Sequence, residues 1–223
     1  MDWRRLHILY EDNHLLAVNK PADLLVQGDR TGDPTLLDLA RAYLKHRYDK
    51  PGNVYLGLVH RLDRPVTGVV LFARTSKAAS RLSRQFRAGT VVKFYLVVVE
   101  GAPKPAAGEL SHEVAGSGDA RGVTRVSPSV FAGSKSARLR YRVLGRAARR
   151  SLLEVELLTG RRHQIRAQLA AAGWPVLGDR KYGARQPAPP GIALHACRLE
   201  FAHPIGGAAV RLEAPLPPGW PWP

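Results

Sequence analysis

The chain has 223 residues, 45% of them hydrophobic, enough for a real core and too many for a disordered chain. Its single cysteine, Cys197, excludes an intramolecular disulfide framework and any multi-cysteine zinc site, and fits a reducing cytosol. The formal charge of +16 is uneven: residues 1–50 hold eight acidic and eight basic residues, whereas residues 51–223 hold 26 basic against 10 acidic. Most of these cations are Arg, which grips phosphate with two prongs, so a nucleic acid is the expected partner. A solubilising basic surface is the plain alternative. No signal-peptide core is visible and no run of about 18 apolar residues occurs, so the expectation is a cytoplasmic protein without a membrane partner.

In chain order, His7–Asp12 and His14–Lys20 flank the turn-prone Asp12-Asn13 and predict a β-hairpin. Leu36–His46, after Asp33-Pro34-Thr35, predicts a helix with Leu36, Leu37, Ala40 and Leu44 on one face. Val54–Val59 and Gly68–Ala73 read as strands around His60-Arg61-Leu62-Asp63-Arg64-Pro65. Ser76–Ala88 reads as a helix closed by Gly89, and Val91–Val99 as a strongly apolar strand. Residues 101–135 are rich in Gly, Ser, Pro and Ala and read as loops around one or two short strands. Ala137–Leu144 and Leu152–Leu158 are predicted strands, the first with a cationic face of Arg138, Arg140 and Arg142. A helix is expected from Thr159-Gly160 to about Ala172, then strands at Ile192–Phe201 and Ala208–Ala214 and an extended Pro- and Trp-rich tail. Strands outnumber helices without alternating with them. The class is therefore α+β, a mixed, largely antiparallel sheet with flanking helices, read as one domain over residues 1–223.

Asp63 lies between two strands with Arg61 and Arg64 beside it and Pro65 stiffening the exit. Neighbouring guanidiniums favour an ionised carboxylate, able to act as nucleophile or base; a turn residue balancing two arginines is the plain reading. The run Gly160-Arg161-Arg162-His163-Gln164-Ile165-Arg166 puts cations where a helix begins, the end that disfavours them. A compensating carboxylate or phosphate, or else a solvated basic face, would explain this. Tyr95, within Lys93-Phe94-Tyr95-Leu96, points opposite to Phe94 and is either a core residue or a base-stacking ring. Lys77, Arg81 and Arg84 share a helix face that could contact phosphates, although charged outer faces are common. The eight histidines show no metal spacing, and no phosphate-binding glycine motif or serine elbow occurs, so neither a metal nor a cofactor is expected.

These motifs resemble the RluA-type RNA pseudouridine synthases. His60-Arg61-Leu62-Asp63-Arg64-Pro65-Val66-Thr67-Gly68 is similar to that family's H-R-L-D signature. The stretch from Tyr10 to Ala22 is similar to its opening hairpin, and Lys93-Phe94-Tyr95-Leu96 to its Lys-x-Tyr segment. Gly160–Arg166, Gly178-Asp179-Arg180-Lys181-Tyr182-Gly183, Leu194-His195-Ala196 and Phe201–Pro204 resemble its later blocks. The resemblance covers about Ile8 to Pro217 and implies the pseudouridine synthase fold: a β-sheet catalytic core that isomerises uridine in ribosomal or transfer RNA without a cofactor. It implies that Asp63 is the catalytic aspartate, Tyr95 stacks on the target base, Arg166 pairs with the aspartate and Ile165 lines the uracil pocket. Arg61 would help fill the space left by the flipped nucleotide. His60, Arg64 and Arg162, beside the matched positions, are further substrate-binding candidates. Val66-Thr67-Gly68 stands where many members have Thr-Ser-Gly, and Gln168 and Trp174 also depart from the common pattern. The chain is read as a monomer without a separate N-terminal RNA-binding domain. A noncatalytic RNA-binding protein is the runner-up, and an RNA hydrolase using Asp63 and His60 a distant third.

Overall fold

Asp12 turns the first hairpin. Its Oδ1 accepts the N–H groups of His14 and Leu15, both at 2.7 Å, and so joins β1 (His7–Glu11) to β2 (Leu15–Lys20). In this computed structural model, residues 2–29, 32–116, 122–188 and 191–222 are described. The chain forms two compact units, Met1–Val91 with Ala196–Pro217 and Val92–His195 with Pro218–Pro223.

In the first unit the strand order is β1, β2, β4 (Thr67–Ala73), β10 (Leu194–Ala202) and β11 (Ala209–Glu213). β2 and β4 run antiparallel from Leu15 opposite Ala73 to Lys20 opposite Gly68. All seven residues of β4 are buried, as its unbroken apolar run dictates. Leu15, Leu71, Phe201 and Leu212 meet Ala78 and Leu82 of α2 (Ser76–Ala88) in the core, where each large side chain contributes about 1.5–3 kcal/mol. Helix α1 (Leu36–Arg47) starts at a capping box in which Thr35 and Asp38 exchange hydrogen bonds. Helix α2 ends at Gly89 with φ +72°. The strand expected over Val54–Val59 is reduced to β3 (Gly57–Leu58), opposite Ala73 and Phe72. β2 pairs with β4 along Gly68–Ala73, β10 is another neighbour of β4, and β3 joins β4 only at Phe72 and Ala73. Gly68 has φ +114°, and a Cβ there would lie 2.2 Å from the Ala196 carbonyl oxygen. Only glycine allows this backbone approach.

In the second unit β5 (Val92–Glu100), β9 (Arg150–Leu157), β8 (Lys135–Ala147), β6 (Ala107–Gly116) and β7 (Thr124–Ser127) lie in that order, every neighbour antiparallel. The 101–135 segment thus holds a ten-residue strand as well as a short one, because β6 finds a full partner in β8; residues 117–121 fall outside the described residues. Trp220 and Trp222 of the tail pack against Val98, Leu177 and Ala193.

The helix expected from Gly160 starts at Gln164, as α3 (Gln164–Ala171). His163 stands before it at φ +51°, outside right-handed helical space. The Gln164 side-chain oxygen accepts the Thr159 hydroxyl at 2.8 Å and the Arg161 N–H at 3.0 Å, tying the approach into a loop. Arg161 and Arg162 therefore precede the helix, and only Arg166 belongs to it. No helix among the described residues is long and apolar enough to cross a membrane.

Candidate active site

Asp63 occupies the first position of a turn whose Val66 N–H donates to the Asp63 carbonyl at 3.1 Å. Buried Leu62 and Val66 flank the turn and fasten it to the first unit, leaving the Asp63 side chain half-exposed. His60 accepts the N–H of Leu71 on Nε2 at 2.9 Å, and its ring stacks on Phe86 at 4.9 Å. The histidine of the motif thus anchors the turn to β4 and α2. Arg64 donates to Asp33 at 3.0 Å, and Arg61 is exposed.

Beneath the turn lies Lys20, with 0% exposure. Its Nζ donates to the carbonyls of Pro21 and Leu24, each at 2.8 Å, and to that of Arg64 at 2.9 Å. Three acceptors match the three N–H groups of an ammonium. Burial pulls its pKa down to about 7, against the attraction of Asp23 and Asp63. Lys20 thus pins the backbone one residue after Asp63. The sequence signal was a lysine ending an apolar strand, which by itself names no function.

In the second unit Tyr95 is buried on the strand face it shares with Val97 and Val99, while Phe94 is half-buried. Ile165 and Arg166 are both buried on α3. The guanidinium of Arg166 is gripped by Asp179, Nε to Oδ2 at 2.6 Å and Nη2 to Oδ1 at 2.9 Å. Arg166 is 5% exposed and Asp179 2%. The Tyr182 ring lies 5.1 Å from the Arg166 guanidinium carbon. The Tyr182 oxygen accepts the Thr124 N–H at 2.8 Å and shares a hydrogen bond with His163 Nδ1 at 2.8 Å. Asp179 precedes the one-turn helix Arg180–Tyr182, and Tyr182 is its last residue. Sequence reasoning matched their block without assigning either a role. Arg162 is exposed. Gln168, with 0% exposure, donates to the carbonyls of Leu110 and Ala137 and accepts from Gln164, fixing α3 on β6 and β8.

The cationic face expected on β8 is neutralised. Arg140 faces Glu109 at 3.2 Å and Glu156 at 3.5 Å, Arg142 faces Glu154 at 2.9 Å, and Arg138 faces Glu109 at 3.7 Å. The carboxylates come from neighbouring strands, a pairing that a single strand's alternation cannot reveal. On α2, Arg81 donates to the Pro204 carbonyl at 2.7 Å, while Lys77 and Arg84 are exposed.

The family described as RNA pseudouridylate synthase matches residues 14–171. A ribosomal large subunit pseudouridine synthase D from Nitrosomonas europaea is 38% identical over 95% of this chain and 62% of its own length. The enzyme of that name from Pseudomonas aeruginosa is 36% identical over 97% of this chain and 70% of its own. The chain thus spans about two thirds of these relatives. Among solved structures, Human RNA Pseudouridylate Synthase Domain Containing 4 has a TM-score of 0.79 at 26% identity, covering 95% of this chain and 89% of that one.

Proposed function

The chain belongs to the RNA pseudouridylate synthase family, and on that premise we propose that it isomerises uridine to pseudouridine in RNA, with Asp63 as the catalytic carboxylate. Support comes chiefly from Asp63 itself: a half-exposed carboxylate inside the family's signature block, on a turn held by buried neighbours and by the Lys20 ammonium. The names of the relatives favour ribosomal RNA over transfer RNA as the substrate class.

The reaction breaks the N-glycosidic bond, turns the base and joins its carbon 5 to the ribose. It is redox-neutral and transfers no group to a second molecule, so side chains suffice. The target uridine leaves its stack, because the reacting atoms are inaccessible within a helix. Attack of Asp63 on ribose or base, or removal of a ribose proton, each requires an ionised, aimed carboxylate. Tyr95 is proposed to stack on the base, Arg166 to act with Asp63 as one functional unit and Ile165 to line the uracil pocket. Arg61, His60, Arg64 and Arg162 are proposed to serve RNA binding, with His60 contributing by anchoring the turn. Ribosomal RNA tritiated at uridine carbon 5 tests the reading: tritium is released without chain cleavage. Binding without release would favour a noncatalytic RNA-binding protein, and shortened RNA would favour a hydrolase.

A further inference from the structure

Arg166 is held on several sides, and what holds it lies outside the positions given a role above. Asp179 uses its Nε and one Nη2 hydrogen in a two-pronged contact, which fixes the plane of the guanidinium. Tyr182 covers a face of that plane, its ring 5.1 Å from the guanidinium carbon. The ring itself is not free to tilt. Its oxygen is held by the Thr124 N–H and by His163 Nδ1, both at 2.8 Å. His163 is the φ +51° residue that opens α3, three positions before Arg166. The contacts close a circuit from α3 to Asp179, along the one-turn helix to Tyr182, and back to α3 through His163.

We propose that Asp179 and Tyr182 are positioning residues for Arg166. Asp179 sets the plane of the guanidinium. Tyr182 sets its tilt and, through its hydroxyl, ties that tilt to His163 and to the start of β7. This inference rests on the proposed catalytic role of Arg166. A buried ion pair kept only for stability would need neither the ring over its face nor a hydroxyl held from two sides. The arrangement holds the guanidinium in one orientation.

Tyr182→Phe in the full chain separates positioning from mere structure, because it keeps the ring and removes only the hydroxyl. With ribosomal RNA tritiated at uridine carbon 5, turnover at saturating RNA is expected to fall about tenfold, as small misplacements of catalytic groups do. RNA affinity should stay near that of the unaltered protein, and melting temperature should fall only modestly, because the Thr124 N–H loses its acceptor while the ring stays in place. Tyr182→Leu should fall further. In an Arg166→Lys background, which lacks the planar fork, Tyr182→Phe should cost nothing more. Asp179→Asn should also lose turnover; should it fail to fold, the Tyr182 variants carry the test. Unaltered turnover in both Tyr182 variants beside an impaired Arg166→Ala protein would overturn the positioning role alone, as would additive losses in the Arg166→Lys background. Normal turnover by Arg166→Ala itself would instead overturn the catalytic reading of Arg166 on which the inference rests.

Discussion

Two arginine-rich stretches of the second unit look alike in sequence and differ in what surrounds them. On β8, Arg138, Arg140 and Arg142 stand on the exposed face opposite Glu109, Glu154 and Glu156. On α3, Arg166 is buried and held by one buried carboxylate and one aromatic ring. Water screens the first set, so its pairing is weak and its neutralised charge adds little to a polyanion site. The second pair has lost its water, so each partner depends on the other. A count of cations treats the two stretches as equal, whereas burial and the number of fixed donors separate them. Lys20 is a third case: a fully buried cation satisfied by three backbone carbonyls.

The largest effect is expected where burial is deepest. Arg166→Ala leaves Asp179 buried without its two-pronged partner, so unfolding free energy should fall by about 3–5 kcal/mol. Turnover should collapse even at saturating RNA, with only a modest loss of affinity. Denaturant titration and single-turnover kinetics would check the two parts, and a stable variant would erase the contrast with β8.

Lys20 sharpens the comparison through pH. The folded protein gives up the Lys20 proton near pH 7, whereas an unfolded lysine keeps it to about 10.5. Between those values the unfolded state binds more protons, so raising the pH favours the fold. The Lys20 contribution to that slope approaches about 1.4 kcal/mol per pH unit for one proton. Melting curves across this window should show Lys20→Met less stable overall and lacking this contribution. An identical slope in both proteins would show that the lysine titrates normally. The smallest effect belongs to Arg140→Ala, whose exposed pairs are worth about 0.2–1 kcal/mol and should fade in high salt. Turnover by this variant should stay at the unaltered level, and a large loss would mean that the β8 face contacts RNA after all.

Much of the fold was legible because local signals and tertiary packing agree. The Asp12 turn, the Thr35 cap and the Gly89 stop each act within a few residues, and the elements they bound fall where predicted. The failures needed partners far along the chain. β6 is long because β8 offers it eight positions, and the β8 arginines are neutral because β6 and β9 bring glutamates. The start of α3 was misjudged because a Gln164 side chain satisfies backbone and hydroxyl groups of the preceding loop, which no periodicity records. For the candidate site, the cations of Gly160–Arg166 stood out as residue types at the wrong end of a helix, and Asp63 stood out through the resemblance of its block. Asp179 and Tyr182 did not, since an Asp among Arg and Lys reads as simple charge balance until the two-pronged contact is seen.

Asp63→Asn tests the central claim most directly. The change keeps the size of the side chain and removes the charged carboxylate, so the turn held by Leu62, Val66 and Lys20 should stay intact. Tritium release from ribosomal RNA labelled at uridine carbon 5, measured beside RNA affinity, should fall to background while binding stays near that of the unaltered protein. Substantial release by this variant would contradict the account, because isomerisation would then proceed without the carboxylate assigned to it.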